Sequence, residues 1–191
     1  MNLWHDARRL SRTCCADLTM MTQRLPSAGM IVPNLTTMPM DQFELRWRFT
    51  NPAHRALPRA HLEHIKPLHA DSAEQLGELI SYWHPLPPAG LGGFTRMART
   101  RIDAYGPDEV QLVRKWLYGR ALPFKRQVFI LWDRHTAAIT SWKMIVRYWD
   151  AFWYASSDDV FIFDASLSWL LFLWHEEEAF FASSPAFIKV G

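Results

Sequence analysis

Two runs near the C-terminus, VFIF at 160–163 and WLLFLW at 169–174, have apolar residues at every position. Successive side chains of a strand point to opposite faces, so an alternating strand can leave one face in water and these cannot. A sheet that contains them must be covered on both sides. The same runs are too short to cross a bilayer as helices, which takes about 18 or more apolar residues. The longest, LSWLLFLW, is strand-sized.

The covering elements are legible upstream. From Trp142 the apolar positions are Trp142, Ile145, Val146, Trp149, Phe152 and Trp153, the spacing of an amphipathic helix, with Lys143, Arg147 and Asp150 opposite. Thr140 or Ser141 is placed to cap it. DSAEQLGELISYW predicts a second helix, with Ser72 as cap, Gln75 as its capping-box partner and Leu76, Leu79, Ile80 and Trp83 as its stripe. A third is expected after Asp108, with Val110, Val113, Trp116 and Leu117 inward and Gly119 near its end. RAHLEHIKPL starts a short helix that Pro67 stops. FELRWRFT, at 43–50, alternates apolar and charged residues and predicts a half-buried strand. QVFILWD, AAIT and AFFAS add strands around the two apolar runs, and HPLPPAGLGG breaks the chain after the second helix. Strand, strand, helix and three more strands form a meander, not a βαβ array. The expected fold class is α+β: a mainly antiparallel sheet, a Trp-rich helix packed on one face and the N-terminal helices on the other.

Hydrophobic residues make up 49% of the 191, enough for a substantial core in one domain. Residues 1–40, with RRLSRTCC and poor periodicity, read as a flexible tail, and 41–191 as the domain. No apolar signal core is visible. Cys14 and Cys15 are adjacent, a poor geometry for a disulfide, and no further cysteine completes a zinc site. Reduced thiols and a cytoplasmic location are the expectation.

The net charge of +2 argues against a general affinity for nucleic acid, but it hides an asymmetry. Residues 96–126 hold eight basic and three acidic side chains, and residues 127–191 hold four basic and eight acidic. The acids cluster at Asp158, Asp159, Asp164, Glu176, Glu177 and Glu178, around His175. Tight turns that brought Asp164, His175 and Glu176 together would suit a metal-dependent hydrolase or nuclease, although no EF-hand or HExxH spacing is present. The blander reading is an acidic edge that keeps the sheet soluble. Between them lies a partner-binding patch of Asp158, Asp159, Glu176, Glu177 and Glu178, with Trp153 and Tyr154 as aromatic anchors. In the basic segment, Arg114, Lys115, Trp116, Tyr118 and Arg120 combine charge with stacking surface and offer a single-stranded nucleic-acid alternative. HLEH sets His61 and His64 three residues apart, two ligands short of a zinc site. GLGG lacks the lysine of a phosphate loop. No cofactor motif is present.

YWDAFWYASSDDVFIF and WLLFLWHEEEAFF resemble small bacterial α+β proteins of unassigned function, including immunity-type proteins of polymorphic toxin systems. LRWRFTNPAHRALPRAHLEHIKPL is similar to the opening of bacterial families whose function is unknown. The resemblance spans about 43–68 and 128–181. It implies a cytoplasmic protein without catalysis that occludes another protein, such as a basic toxin. Asp158, Asp159 and Glu176 to Glu178 would then steer the encounter, and the +5 segment would face away.

Overall fold

The doubly apolar runs occupy the middle of a seven-stranded antiparallel sheet. The computed structural model describes residues 34–80, 94–103, 106, 108–155 and 157–184. Its strands are β1 (Lys66–Pro67), β2 (Arg96–Arg101), β3 (Gln127–Leu131), β4 (Ala137–Ser141), β5 (Val160–Phe163), β6 (Trp169–Trp174) and β7 (Glu178–Ser183), in the order β1-β4-β3-β5-β6-β7-β2. β5, β6 and β7 are consecutive hairpins in register, with Phe161 opposite Phe172 and Phe172 opposite Phe180. The fold is α+β.

The pleat sorts these residues into two cores. Val128, Ile130, Ile162, Trp169, Leu171 and Phe181 face α5 (Trp142–Phe152). Phe129, Phe161, Phe163, Phe172 and Phe180 face the other way, towards the buried side of α3 (Ala70–Ile80), where Ala73, Leu76 and Ile80 pack. Fully burying one such side chain contributes about 1.5–3 kcal/mol. The double coverage demanded by the sequence is therefore met. The N-terminal helices divide between the faces, however. α3 takes the second face, while α1 (Trp47–Thr50) and α2 (Arg59–Leu62) join the α5 side. There Phe49 packs on Phe152 at 5.1 Å, and Leu62 and Ile65 enter the same core. α4 (Glu109–Tyr118) also lies against α5, burying Val113 and Leu117, with Asp108 at its start and Gly119 at its end as the sequence indicates.

Three elements depart from expectation. FELRWRFT is a 3-10 turn, Glu44–Arg46, followed by α1. Its buried residues are Phe43, Arg48 and Phe49, so the alternation that suggests a strand is not the burial pattern; Trp47 turns to the surface instead. α3 begins at Ala70, and Ser72 lies inside its first turn. There the Ser72 hydroxyl accepts the Thr36 amide at 2.9 Å in place of capping the helix. β2, RMARTR, is the edge strand beside β7, with no apolar run to announce it. Its arginines line an edge that would otherwise invite pairing.

The boundary drawn at Asp41 also moves. Residues 34–40 belong to the packed body: Thr37 bridges Leu68, the Met38 amide donates to the Pro67 carbonyl, and Leu35, Met38 and Met40 pack on the two cores. Residues 1–33 (with Cys14 and Cys15), Trp83 and the HPLPPAGLGG stretch lie outside the described residues. No helix among the described residues is long and apolar enough to cross a membrane.

Candidate functional site

The antiparallel register separates charge along the strands. One end of the sheet gathers the start of β5, the His175–Glu177 turn and the end of β2, hence Asp159, Glu176, Glu177 and Glu178. The other end gathers the start of β3, the end of β4 and the β5–β6 turn, with Lys125, Arg126 and Lys143 beside them. Glu177 has φ 59° in the three-residue β6–β7 turn, where its carbonyl accepts the Ile102 amide at 2.7 Å. A left-handed third residue is a common way to close such a hairpin.

The acidic set is mostly paired. Asp158 is buried and forks against Arg48, with Nη2 to Oδ1 at 3.0 Å and Nη1 on Oδ2. It also accepts the Tyr154 amide at 2.8 Å and the Ser157 hydroxyl at 3.1 Å. Trp153 is buried, and its indole donates to the Asp158 carbonyl at 3.0 Å. Neither residue offers its polar atoms to a partner, contrary to their assignment as steering charge and anchor. Both lock the turn after α5. Asp159 receives the His175 imidazole at 2.7 Å, and Glu178 is held by Arg99 across the β2–β7 ladder. Glu176 stands exposed, 3.4 Å from the far nitrogen of His175, and Glu177 is half-exposed.

Asp164 does not join this set. It sits beyond the opposite end of β5, about 13 Å away at about 3.3 Å per residue. There it builds the β5–β6 turn by accepting the Ser166 amide at 2.9 Å, and it faces Arg126 at 3.4 Å. The combination of Asp164 with His175 and Glu176 is therefore not assembled. Among the described residues no group of three His, Cys, Asp or Glu side chains is placed to hold a metal ion.

Burial bears on ionisation at Glu109, on the first turn of α4. Burial raises its pKa, and the neighbouring Asp103 and Glu177 charges raise it further against a hydrogen bond from the Asp103 backbone. A carboxyl whose folded pKa is raised weakens the native state when ionised, so stability rises as pH falls towards the ordinary carboxylate range. Glu109→Gln is expected to raise the thermal midpoint at pH 7. The difference from the parent should shrink below the folded pKa. A lower midpoint at pH 7 would contradict this.

Beside the acidic end lies an aromatic patch that the sequence reading missed. Trp47, 36% exposed, stacks on Tyr154 at 5.6 Å and 18°, and His54 meets Trp47 edge-on at 4.6 Å. The Arg48 guanidinium covers the Tyr154 ring at 4.6 Å while its fork is held by Asp158. Burial raises the Tyr154 pKa, with Arg48 opposing and Asp158 and Asp150 reinforcing. Of the predicted anchors, Tyr154 is thus at the surface and Trp153 is not. Trp47, Arg48 and His54 fell in the segment read as a strand and loop, where no pattern marks a buried arginine.

Of the residues proposed for nucleic acid, Lys115, Trp116 and Arg120 line one cavity, which Glu109 also lines. Arg114 donates to the Arg147 carbonyl at 2.8 Å, and Trp116 is half-buried beneath Arg120 at 4.4 Å. Burial lowers the Arg120 pKa. Tyr118 and Phe124 are the basic segment's exposed aromatics among the described residues. His61 pairs with the Tyr148 hydroxyl. No protein-family model matches the chain, and neither a curated protein nor a solved structure matches it.

Proposed function

We propose that the protein is a non-enzymatic protein-binding module of immunity or inhibitor type, acting in the cytoplasm on a basic protein. The observation that carries the reading is the surface stack of Trp47, Tyr154 and His54 over an arginine already locked by Asp158. Tryptophan, tyrosine and arginine are the side chains that most often dominate interface energetics. Trp47 and Tyr154 are already stacked on each other, so a partner is spared the cost of ordering those rings. Glu176 and Glu177 supply the adjoining negative rim, which acts on association rate more than on affinity.

The test is capture on the immobilised protein followed by identification and titration of what binds. A basic protein held at one to one is expected. Trp47→Ala should weaken it at least about tenfold, or about 1.4 kcal/mol. Glu176→Lys with Glu177→Lys should slow association, most at low salt. The charge-reversed variant touches only the surface and should keep the parent's thermal midpoint. Absence of a stoichiometric partner, or a partner bound equally by both variants, would overturn the reading.

A further inference from the structure

At the basic end of the sheet, the start of α5 opens onto a cavity of about 320 Å³. Lys125, Lys143 and Arg147 line it with Ser141 and Phe124, and no carboxylate is among the lining residues. Its charge is uncompensated. Carboxylates elsewhere in the molecule take arginine partners, Arg48, Arg55, Arg99, Arg126 and Arg134 among them, while none of the three cavity cations is in an ion pair among the described residues. Asp150, one turn along α5 from Arg147, is engaged by Arg55. Ser141 occupies the N-cap position of α5 yet makes no side-chain capping bond, so its hydroxyl remains available. Three cations outside any ion pair and a serine hydroxyl supply donors suited to a phosphate.

The aromatic neighbours extend the ligand beyond phosphate. Phe124 is 44% exposed at the cavity wall and packs at 5.8 Å against Tyr118, which is 64% exposed. Exposed rings beside unpaired cations are the elements with which proteins hold unpaired bases. The cavity is also far larger than one phosphate group needs. We propose that this cavity binds a nucleoside phosphate, with the phosphate on Lys125, Lys143, Arg147 and Ser141 and the base against Phe124. The ligand chemistry is shared by a free nucleotide and by the phosphorylated end of a single strand. The site lies at the other end of the sheet from the Trp47–Tyr154 patch, and each stands or falls without the other.

The experiment titrates the full chain with adenosine 5′-monophosphate, adenosine, inorganic phosphate and a 5′-phosphorylated oligothymidine of eight nucleotides. Saturable one-to-one binding of the monophosphate is expected, at least tenfold tighter than adenosine and weakened by salt. Lys143→Ala and Arg147→Ala should each lose about tenfold, the loss of one charge-assisted contact. Phe124→Ala should weaken the nucleotide and leave inorganic phosphate unchanged. These three side chains are on the surface or the cavity wall, so an unaltered thermal midpoint separates lost contacts from lost fold. Tight binding of the octamer with weak binding of the monophosphate would assign the site to a strand end, and the reverse to a free nucleotide. No binding of either, or Lys143 and Arg147 variants that bind as tightly as the parent, would overturn the proposal.

Discussion

Asp158→Ala is expected to destabilise the protein by about 3–5 kcal/mol, because it strands the Arg48 guanidinium in the interior without its counter-ion. The side chains of this pair are only 7% and 9% exposed, and they join α1 to the turn after α5 across 110 residues. The same carboxylate holds the Tyr154 amide and the Ser157 hydroxyl, so one substitution releases three donors. A domain of this size has a net stability of about 5–15 kcal/mol, so the loss is a large share of the whole. Urea unfolding followed by tryptophan fluorescence measures it. The double variant Arg48→Met with Asp158→Leu should recover part of the loss, since removing both charges also removes their desolvation cost. A single-variant loss under about 1 kcal/mol would show that the pair is solvated and the turn independently stable.

Trp169→Ala should cost a similar amount, about 3–5 kcal/mol, through the cavity it leaves. Trp169 is almost fully buried, stacked on Phe181 at 5.5 Å and edge-on to Trp142 at 5.6 Å, so it ties β6 to β7 and to α5 at once. Conservative replacements separate packing from polarity. The Trp169 indole nitrogen is buried without a hydrogen-bond partner, whereas that of Trp132 donates to the Phe152 carbonyl at 2.7 Å. Trp→Phe at 132 leaves that carbonyl unsatisfied, at about 1–3 kcal/mol, and at 169 it relieves a stranded donor. Trp169→Phe is therefore expected to be the milder of the two in the same unfolding assay. Equal costs would mean that volume alone decides at both positions.

What could be read from the chain follows from how local each signal is. The α5 stripe and the doubly apolar strands are statements about neighbours in sequence, and periodicity reports them directly. The six inward positions predicted from Trp142 onward are all buried. The 43–50 segment fails for the opposite reason. Whether Arg48 faces water or the interior depends on an acid 110 residues away, which no local pattern encodes. The acidic cluster misleads in the same manner: six carboxylates look alike in sequence, but pairing with Arg48, Arg99, Arg126 and His175 leaves Glu176 and Glu177 as its outward members. Asp164 shows the geometric limit, since antiparallel reversal puts residues five apart at opposite ends of one strand. The cavity at the start of α5 draws on residues from 61 to 147, and its lack of acids is visible only once they are side by side.

The pairing of β2 with β7 bears on how the chain is made. Arg101 lies opposite Glu178, so β2 leaves the ribosome about 80 residues before its one sheet neighbour among the described residues. At about 5–20 residues per second, that is a wait of about 4–16 s with an unsatisfied backbone edge. An apolar sequence there would aggregate or capture the wrong strand. Exposed arginines at 96, 99 and 101 keep the nascent segment hydrated until the β5–β6–β7 meander has emerged to receive it, which makes β2 a late closing strand.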